Sequence, residues 1–354
     1  MTATTDHTCG LTRDRLDTLL TAVCDQAGLP SAGAELIKFT NNAVFRLPHA
    51  PVVVRIAGST AARVTLPTVV RVARWLAHHD FPAVRLLPGV EQPIRVDDQL
   101  ATLWTYIPEV GPRPGGADLA TLLQRLHTLP HPRHSLPPWQ PMNQIRRRLA
   151  EPEDLSPDDH AFLLDECDEL EDQLGTLRYV LPPGVIHGDA FLGNVIAGPD
   201  GPALCDFDST TIGPREWDLT PVAVGSLRMN YPVNEHLALA ERYGFDVITW
   251  EGFPVLWRLR ELKLVTSVLP ILRSNPSVRS QWRPGIAASR PMTRTSAGNR
   301  TAKERRAACT ISAVGADSAR EITADFSKYE PSSENIEADI SMVTPGRVKA
   351  PVSP

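Results

Sequence analysis

The chain has 354 residues, 42% of them hydrophobic, and a formal net charge of −5. That length allows one large two-lobed domain or two medium ones, and the acidic balance argues against nucleic acid or an anionic membrane as the main partner. No apolar run approaches the ~18 residues of a membrane span. The start MTATTDHTCG lacks an apolar leader, and the five scattered cysteines, with no C-x-x-C pair, read as reduced thiols. A cytoplasmic location is the expectation.

In chain order, Leu16, Leu19, Leu20 and Val23 lie on one face of a helix predicted over 11–27. Three β-rich pieces follow at 36–40, 43–47 and 52–57. Asn41-Asn42 marks the first turn between them and Pro48-His49-Ala50-Pro51 the second. A helix is predicted over 67–79, with Pro67 in its first turn. Short strands at 94–96 and 101–106 flank a turn at Asp97-Asp98. Residues 35–107 therefore read β-β-β-α-β-β.

The next helix opens at Asp118 or the glycines before it and runs to Leu129. After a Pro/His-rich loop come helices near 142–150 and 156–178, the second capped by Ser156 with Pro157 as first helical residue. Residues 184–208 read strand, loop, strand, turn, strand. The remainder to about 281 reads as helices, with the strongest pattern at 253–272. Residues 284–354 carry two aromatics, Phe326 and Tyr329, and no sustained apolar period, which predicts disorder. The division is 1–107 as an N-terminal helix with a β-rich lobe, 108–283 as a helical lobe, and 284–354 as a tail.

The chemistry concentrates in V-I-H-G-D-A-F-L-G-N-V-I-A, residues 185–197, and A-L-C-D-F-D, residues 203–208. Two apolar strand-like stretches flank a polar loop, so His187, Asp189 and Asn194 are expected on a hairpin-like excursion. Asp200-Gly201 turns the chain into a third strand that delivers Asp206 beside it. Two carboxylates and an amide oxygen are hard ligands that suit Mg²⁺, which takes the rest of its shell from water and phosphates. The spacing from Asp189 to Asn194 equals that of the protein-kinase loop H-R-D-x-x-x-x-N, with Gly188 in place of Arg, and Asp206-Phe207-Asp208 stands where D-F-G would.

On these residues the chain resembles the aminoglycoside phosphotransferase family, which is related in fold to choline kinases and protein kinases, over roughly residues 35–275. The resemblance implies a protein-kinase-like two-lobed α+β fold, with a β-rich N-lobe and a mainly helical C-lobe. It implies transfer of the γ-phosphoryl group of ATP or GTP, with Mg²⁺, to a hydroxyl of a small molecule. By resemblance Asp189 is the base or hydroxyl-orienting residue, Asn194 and Asp206 are the metal ligands, and His187 and Asp208 support them. Gly213-Pro214-Arg215-Glu216-Trp217-Asp218-Leu219 matches a family stretch in which Asp218 anchors the loop.

On the nucleotide side, Arg55 stands where kinases carry a lysine for the α/β-phosphates. Residues 59–79 contain no Asp or Glu to hold it, so Arg55 either pairs elsewhere, with Asp206 a candidate, or faces the phosphates directly. The first turn, with Asn42, sits where a phosphate-covering loop would be, and backbone groups around Thr105–Ile107 would read the purine edge. Trp104 reads as core.

On the acceptor side, residues 151–172 hold eleven acidic side chains and no Lys or Arg. They form either a solvated helix face or a field that draws in a cationic substrate, so an aminoglycoside-like or amino-alcohol acceptor is one option. Trp250, Trp257 and Glu261 lie where an acceptor pocket would be built, with core packing as the plainer role for the tryptophans. His127, His131 and His134 straddle a helix end and a proline-rich loop with no cysteine near, and are not read as a zinc site. The alternative to a kinase is a catalytically silent nucleotide-binding or scaffold protein. Arg55, the missing helix glutamate and the irregular tail motivate it.

Overall fold

The computed structural model describes residues 12–39, 42–132, 136–150, 155–228, 232–267 and 269. The predicted tail at 284–354 lies outside them.

The N-terminal half is a five-stranded antiparallel sheet. Its strands are β1 (Glu35–Phe39), β2 (Asn42–Leu47), β3 (Val52–Ala57), β4 (Ile94–Val96) and β5 (Gln99–Thr105), in the order β1-β2-β3-β5-β4. Helix α1 (Arg13–Ala27) is capped by Thr12 and ends at Gly28 in the left-handed region. It buries Leu16, Leu19, Leu20 and Val23 in one cluster with Phe45, Val54, Ile56 and Leu103 of the sheet. Asp97 adopts a positive φ at the β4–β5 turn.

Helix α2 (Thr60–His78) begins seven residues before the predicted start. Ser59 caps it through Ala62 N, so Pro67 is interior. Pro67 is exposed, and the carbonyl it leaves without a helical partner therefore lies on the water-facing side. Helix α2 joins the two halves: Val69, Val72, Ala73 and Leu76 share a buried cluster with Phe207, Leu119 and Leu123 of the helical half.

The helical half contains α3 (Gly116–Thr128), α4 (Pro141–Ala150), α5 (Pro157–Thr176), α6 (Glu216–Arg228), α7 (Val233–Tyr243) and α8 (Phe253–Ser267). Four short strands are embedded in it: β6 (Gly184–Ile186), β7 (Val195–Gly198), β8 (Gly201–Leu204) and β9 (Thr211–Gly213). Strand β7 pairs with β8 across Pro199-Asp200, with Gly201 at φ +107°. The strands flanking His187 and Asn194 do not form a hairpin, contrary to the expectation above. Strand β6 pairs instead with β9, downstream of Asp206. The loop that follows β6 and the turn that precedes β9 are thereby stitched together at their roots.

Four of the eight acidic side chains on α5 meet arginines of neighbouring helices, so the run is neutralised in part. Asp168 and Glu171 pair with Arg146 of α4, and Glu166 and Glu169 pair with Arg258 of α8. Trp250 and Trp257 are buried, and Glu261 pairs with Arg228 at 2.6 Å. Among the described residues no helix is long and apolar enough to cross a membrane.

Candidate active site

The loop after β6 is held from below by one carboxylate. Asp218, fully buried on α6, accepts from His187 N–H at 2.7 Å and Gly188 N–H at 2.8 Å, and its Oδ2 also meets His127 Nε2 at 3.0 Å. Tyr243 hydroxyl lies 2.7 Å from His127 Nδ1. The indole of Trp217 donates to Gly188 O at 2.9 Å. His127, the first of the three histidines considered for zinc, thus belongs to the Asp218 anchor. Gly188 sits at φ +81°, and a Cβ there would fall 2.1 Å from Ser209 O. Only glycine lets the loop pass this close to the turn that carries Asp206 and Asp208.

His187 is buried and ties the two turns together. Its Nε2 faces Cys205 O at 2.8 Å, and an acceptor there requires that this nitrogen carry the proton. Its Nδ1 then accepts from Asp189 N–H at 3.3 Å. Asn194, buried in the short helical turn Leu192–Asn194, donates its side-chain N–H to Asp189 O at 2.9 Å, which assigns the amide oxygen as its acceptor. Its carbonyl receives Cys205 N–H at 3.0 Å and sets Asp206 alongside.

Asp189 faces two cations that the sequence reading missed. Its Oδ1 is 2.6 Å from Arg260 Nη1 and 3.0 Å from Lys263 Nζ, both on α8. Burial alone would raise this carboxyl, but Lys263 and Arg260 outweigh it and hold Asp189 well below the usual carboxylate range. The same burial lowers the Lys263 ammonium, against the pull of Asp189 and with the push of Arg260.

Arg55 of β3 reaches across from the sheet. Its Nη2 pairs tightly with Asp208 and lies 3.8 Å from Asp206 Oδ1. Two aspartates of the D-F-D turn therefore supply the counter-charge that α2 lacks. Burial pushes Asp208 up to about 7, against Arg55 and reinforced by Asp206. Burial would also raise Asp206, but a hydrogen bond with Asp208 and the charge of Arg55 reverse the sign and lower it. Asp206 takes a left-handed backbone conformation, φ 63° and ψ 74°, an uncommon choice for a residue other than glycine. Its Oδ1 is buried with no hydrogen-bond partner among the described residues. A buried carboxylate oxygen without a hydrogen bond, on a turn tied to Asn194 through the Cys205 N–H bond, fits a hard divalent cation that an amide oxygen also serves. Among the described residues no trio of His, Cys, Asp and Glu could hold a metal.

At the predicted hinge, Thr105 N–H is committed to Arg85 O at 2.9 Å and Tyr106 N–H to Pro51 O at 2.8 Å. Ile107 N–H makes no backbone hydrogen bond among the described residues. Asn42 opens β2, paired in register with Ala57. Trp104 is buried against Phe207, as core.

A phosphotransferase is the class that this two-lobed fold and loop define. The model of the phosphotransferase enzyme family matches residues 37–255. This chain belongs to that family, and as such it is an enzyme that transfers a phosphoryl group to an alcohol. No curated protein sequence matches significantly. Among solved structures it is similar to a choline/ethanolamine kinase family protein from Mesorhizobium loti, at 18% identity and TM-score 0.57, over 84% of this chain and 99% of that one. It is similar also to an amicoumacin kinase in complex with AMP-PNP and Ca²⁺, at 14% identity and TM-score 0.61, over 83% of this chain and 99% of that one. A choline kinase from Streptococcus pneumoniae matches at 14% identity and TM-score 0.56, over 77% of this chain and 99% of that one. At these identities the likeness concerns the fold.

Proposed function

We propose that this protein moves the γ-phosphoryl group of ATP or GTP onto the hydroxyl of a small molecule, with Mg²⁺ as cofactor. The observation that carries the reading is the convergence of Asp189, Asn194 and Asp206 on two turns fastened by His187 and by the β6–β9 pair. Asn194 and Asp206 would hold the metal, which would neutralise charge on the phosphates. The β-rich half to residue 107 takes the nucleotide. Arg55 meets the α/β-phosphates, the amides near Asn42 cover them, and the linker at Thr105–Ile107 faces the base. The helical half, 108–283, takes the acceptor.

Asp189 orients the acceptor hydroxyl and receives its proton late. Phosphoryl transfer through a loose transition state asks more of positioning than of basicity. A carboxylate held ionised by two cations suits that task, because it stays charged and fixed at neutral pH. The structure of an amicoumacin kinase with AMP-PNP and Ca²⁺ supports the nucleotide-plus-metal reading.

Isothermal titration with ATP and with GTP, each with and without Mg²⁺, tests it. Binding that requires Mg²⁺ is the expected result. Absence of binding to either nucleotide would favour the silent-protein alternative.

A further inference from the structure

The surroundings of Asp189 contain more positive charge than the aspartate can use. Arg260 and Lys263 already meet its Oδ1. A third cation, Arg148 of α4, lies within the field of Asp189 and donates from Nη1 to Lys263 O at 3.5 Å. Among the described residues no carboxylate lies within ion-pair distance of Arg148. Burial, aided by neighbouring Arg147, lowers the Arg148 guanidinium to about 10. Lys263 divides its ammonium among Asp189, Gly188 O and the ring face of Trp217.

A half-buried guanidinium whose one hydrogen bond is a long contact to a carbonyl has been desolvated without compensation. Such a group is stabilised when an anion arrives. Arg148 and Lys263 stand on α4 and α8 and, among the described residues, make no ion pair with Asp206 or Asp208, which Arg55 of β3 answers. Four acidic side chains of α5, Glu166, Asp168, Glu169 and Glu171, are paired with Arg146 and Arg258, which weakens the pull of that helix on a polycation.

We propose that Arg148 and Lys263 form the seat for an anionic group, a carboxylate or phosphate, carried by the same acceptor molecule whose hydroxyl faces Asp189. The inference rests on the kinase reading and narrows it to acidic acceptors. A bidentate guanidinium and an ammonium holding one end of a short hydroxy acid would leave its hydroxyl within reach of Asp189.

The test is titration calorimetry in saturating Mg·ADP, which occupies the nucleotide side, with four matched three-carbon probes: glycerol, serinol (2-amino-1,3-propanediol), D-glycerate and glycerol 3-phosphate. We expect an anionic probe to bind at least about tenfold more tightly than glycerol and serinol. Arg148→Gln should weaken that binding about tenfold with Mg·ADP affinity unchanged, and Arg148→Lys should retain most of it. A preference for glycerate or for glycerol 3-phosphate distinguishes a carboxylate seat from a phosphate seat. Equal binding of all four probes, nil included, overturns the inference, as does tighter binding of serinol or an Arg148→Gln protein that binds anions normally. Failure to bind Mg·ADP at all would instead overturn the kinase reading.

Discussion

The two charged clusters of the site are built on opposite principles. Around Asp189 the backbone is closely held: Asp218 and Trp217 bond to His187 and Gly188, His187 accepts from Asp189 N–H, and His127 and Tyr243 support Asp218 from behind. Around Arg55 the charges are shared. One guanidinium serves two aspartates, one of which retains a buried oxygen without a hydrogen bond. A fixed loop suits a group that must point at one atom. An incomplete cluster suits groups that must exchange partners when phosphates and a cation enter. In the proposed reaction, the held loop would aim the hydroxyl and the shared charges at Arg55 would meet the phosphates and cation.

The strongest way to sharpen this contrast is at Asp189. Asp189→Asn should reduce turnover by about 10³-fold or more, measured by coupled assay at a temperature where calorimetry shows the variant folded. Arg260 and Lys263 lose their counter-charge, so the melting temperature should fall as well. Wild-type turnover would place the chemistry elsewhere. Next, Asp218→Ala leaves two backbone N–H groups and His127 without their acceptor in a fully buried place. It should cost about 3–5 kcal/mol of unfolding free energy, read from denaturant melts. A loss under about 1 kcal/mol would mean that the loop is not held by this residue.

Arg55→Met should act on the other cluster in the reverse manner. Nucleotide affinity should fall about 10- to 100-fold, with little change in melting temperature, because Asp208 can take up a proton when its cation is gone. A large stability loss with nucleotide binding intact would erase the distinction between the clusters. The smallest effect concerns pH. Asp208 has a folded pKa of about 7 against an unfolded value near 3.8, so the folded protein holds an extra proton between these values. Stability should therefore fall as pH rises through that window, and Asp208→Asn should flatten the slope. Asp206 and Asp189 are shifted downward, so their contributions change below pH 4 and do not overlap. Melting temperatures of both proteins at pH 5 and pH 8 decide it.

Much of this site was legible because its chemistry is local. Spacing alone put Asp189, Asn194 and Asp206 within reach of one another, since short strands and a two-residue turn leave few alternatives. The misses share a physical cause, which is long sequence separation without a local pattern. Arg260 and Lys263 follow Asp189 by about seventy residues and look like ordinary polar positions of a helix. Strand β9 has three residues, too few for alternation, so its pairing with β6 left no trace. Pro67 invited a helix start because proline favours a first turn, but the Ser59 cap and the apolar residues at 62 and 66 outweighed it. The pairing of four acids of α5 was hidden because their arginine partners lie on α4 and α8.

The absence of any acid on α2 has a regulatory consequence. In protein kinases a helix glutamate that pairs with the strand lysine makes helix position a switch. Here the strand arginine is answered by the D-F-D turn, and α2 is fastened through Val69, Val72, Ala73 and Leu76 into the same buried cluster as Phe207. Swinging α2 outward would break the core without touching an ion pair. The position of that helix is therefore set by packing, with no ion pair on it, among the described residues, to make or break.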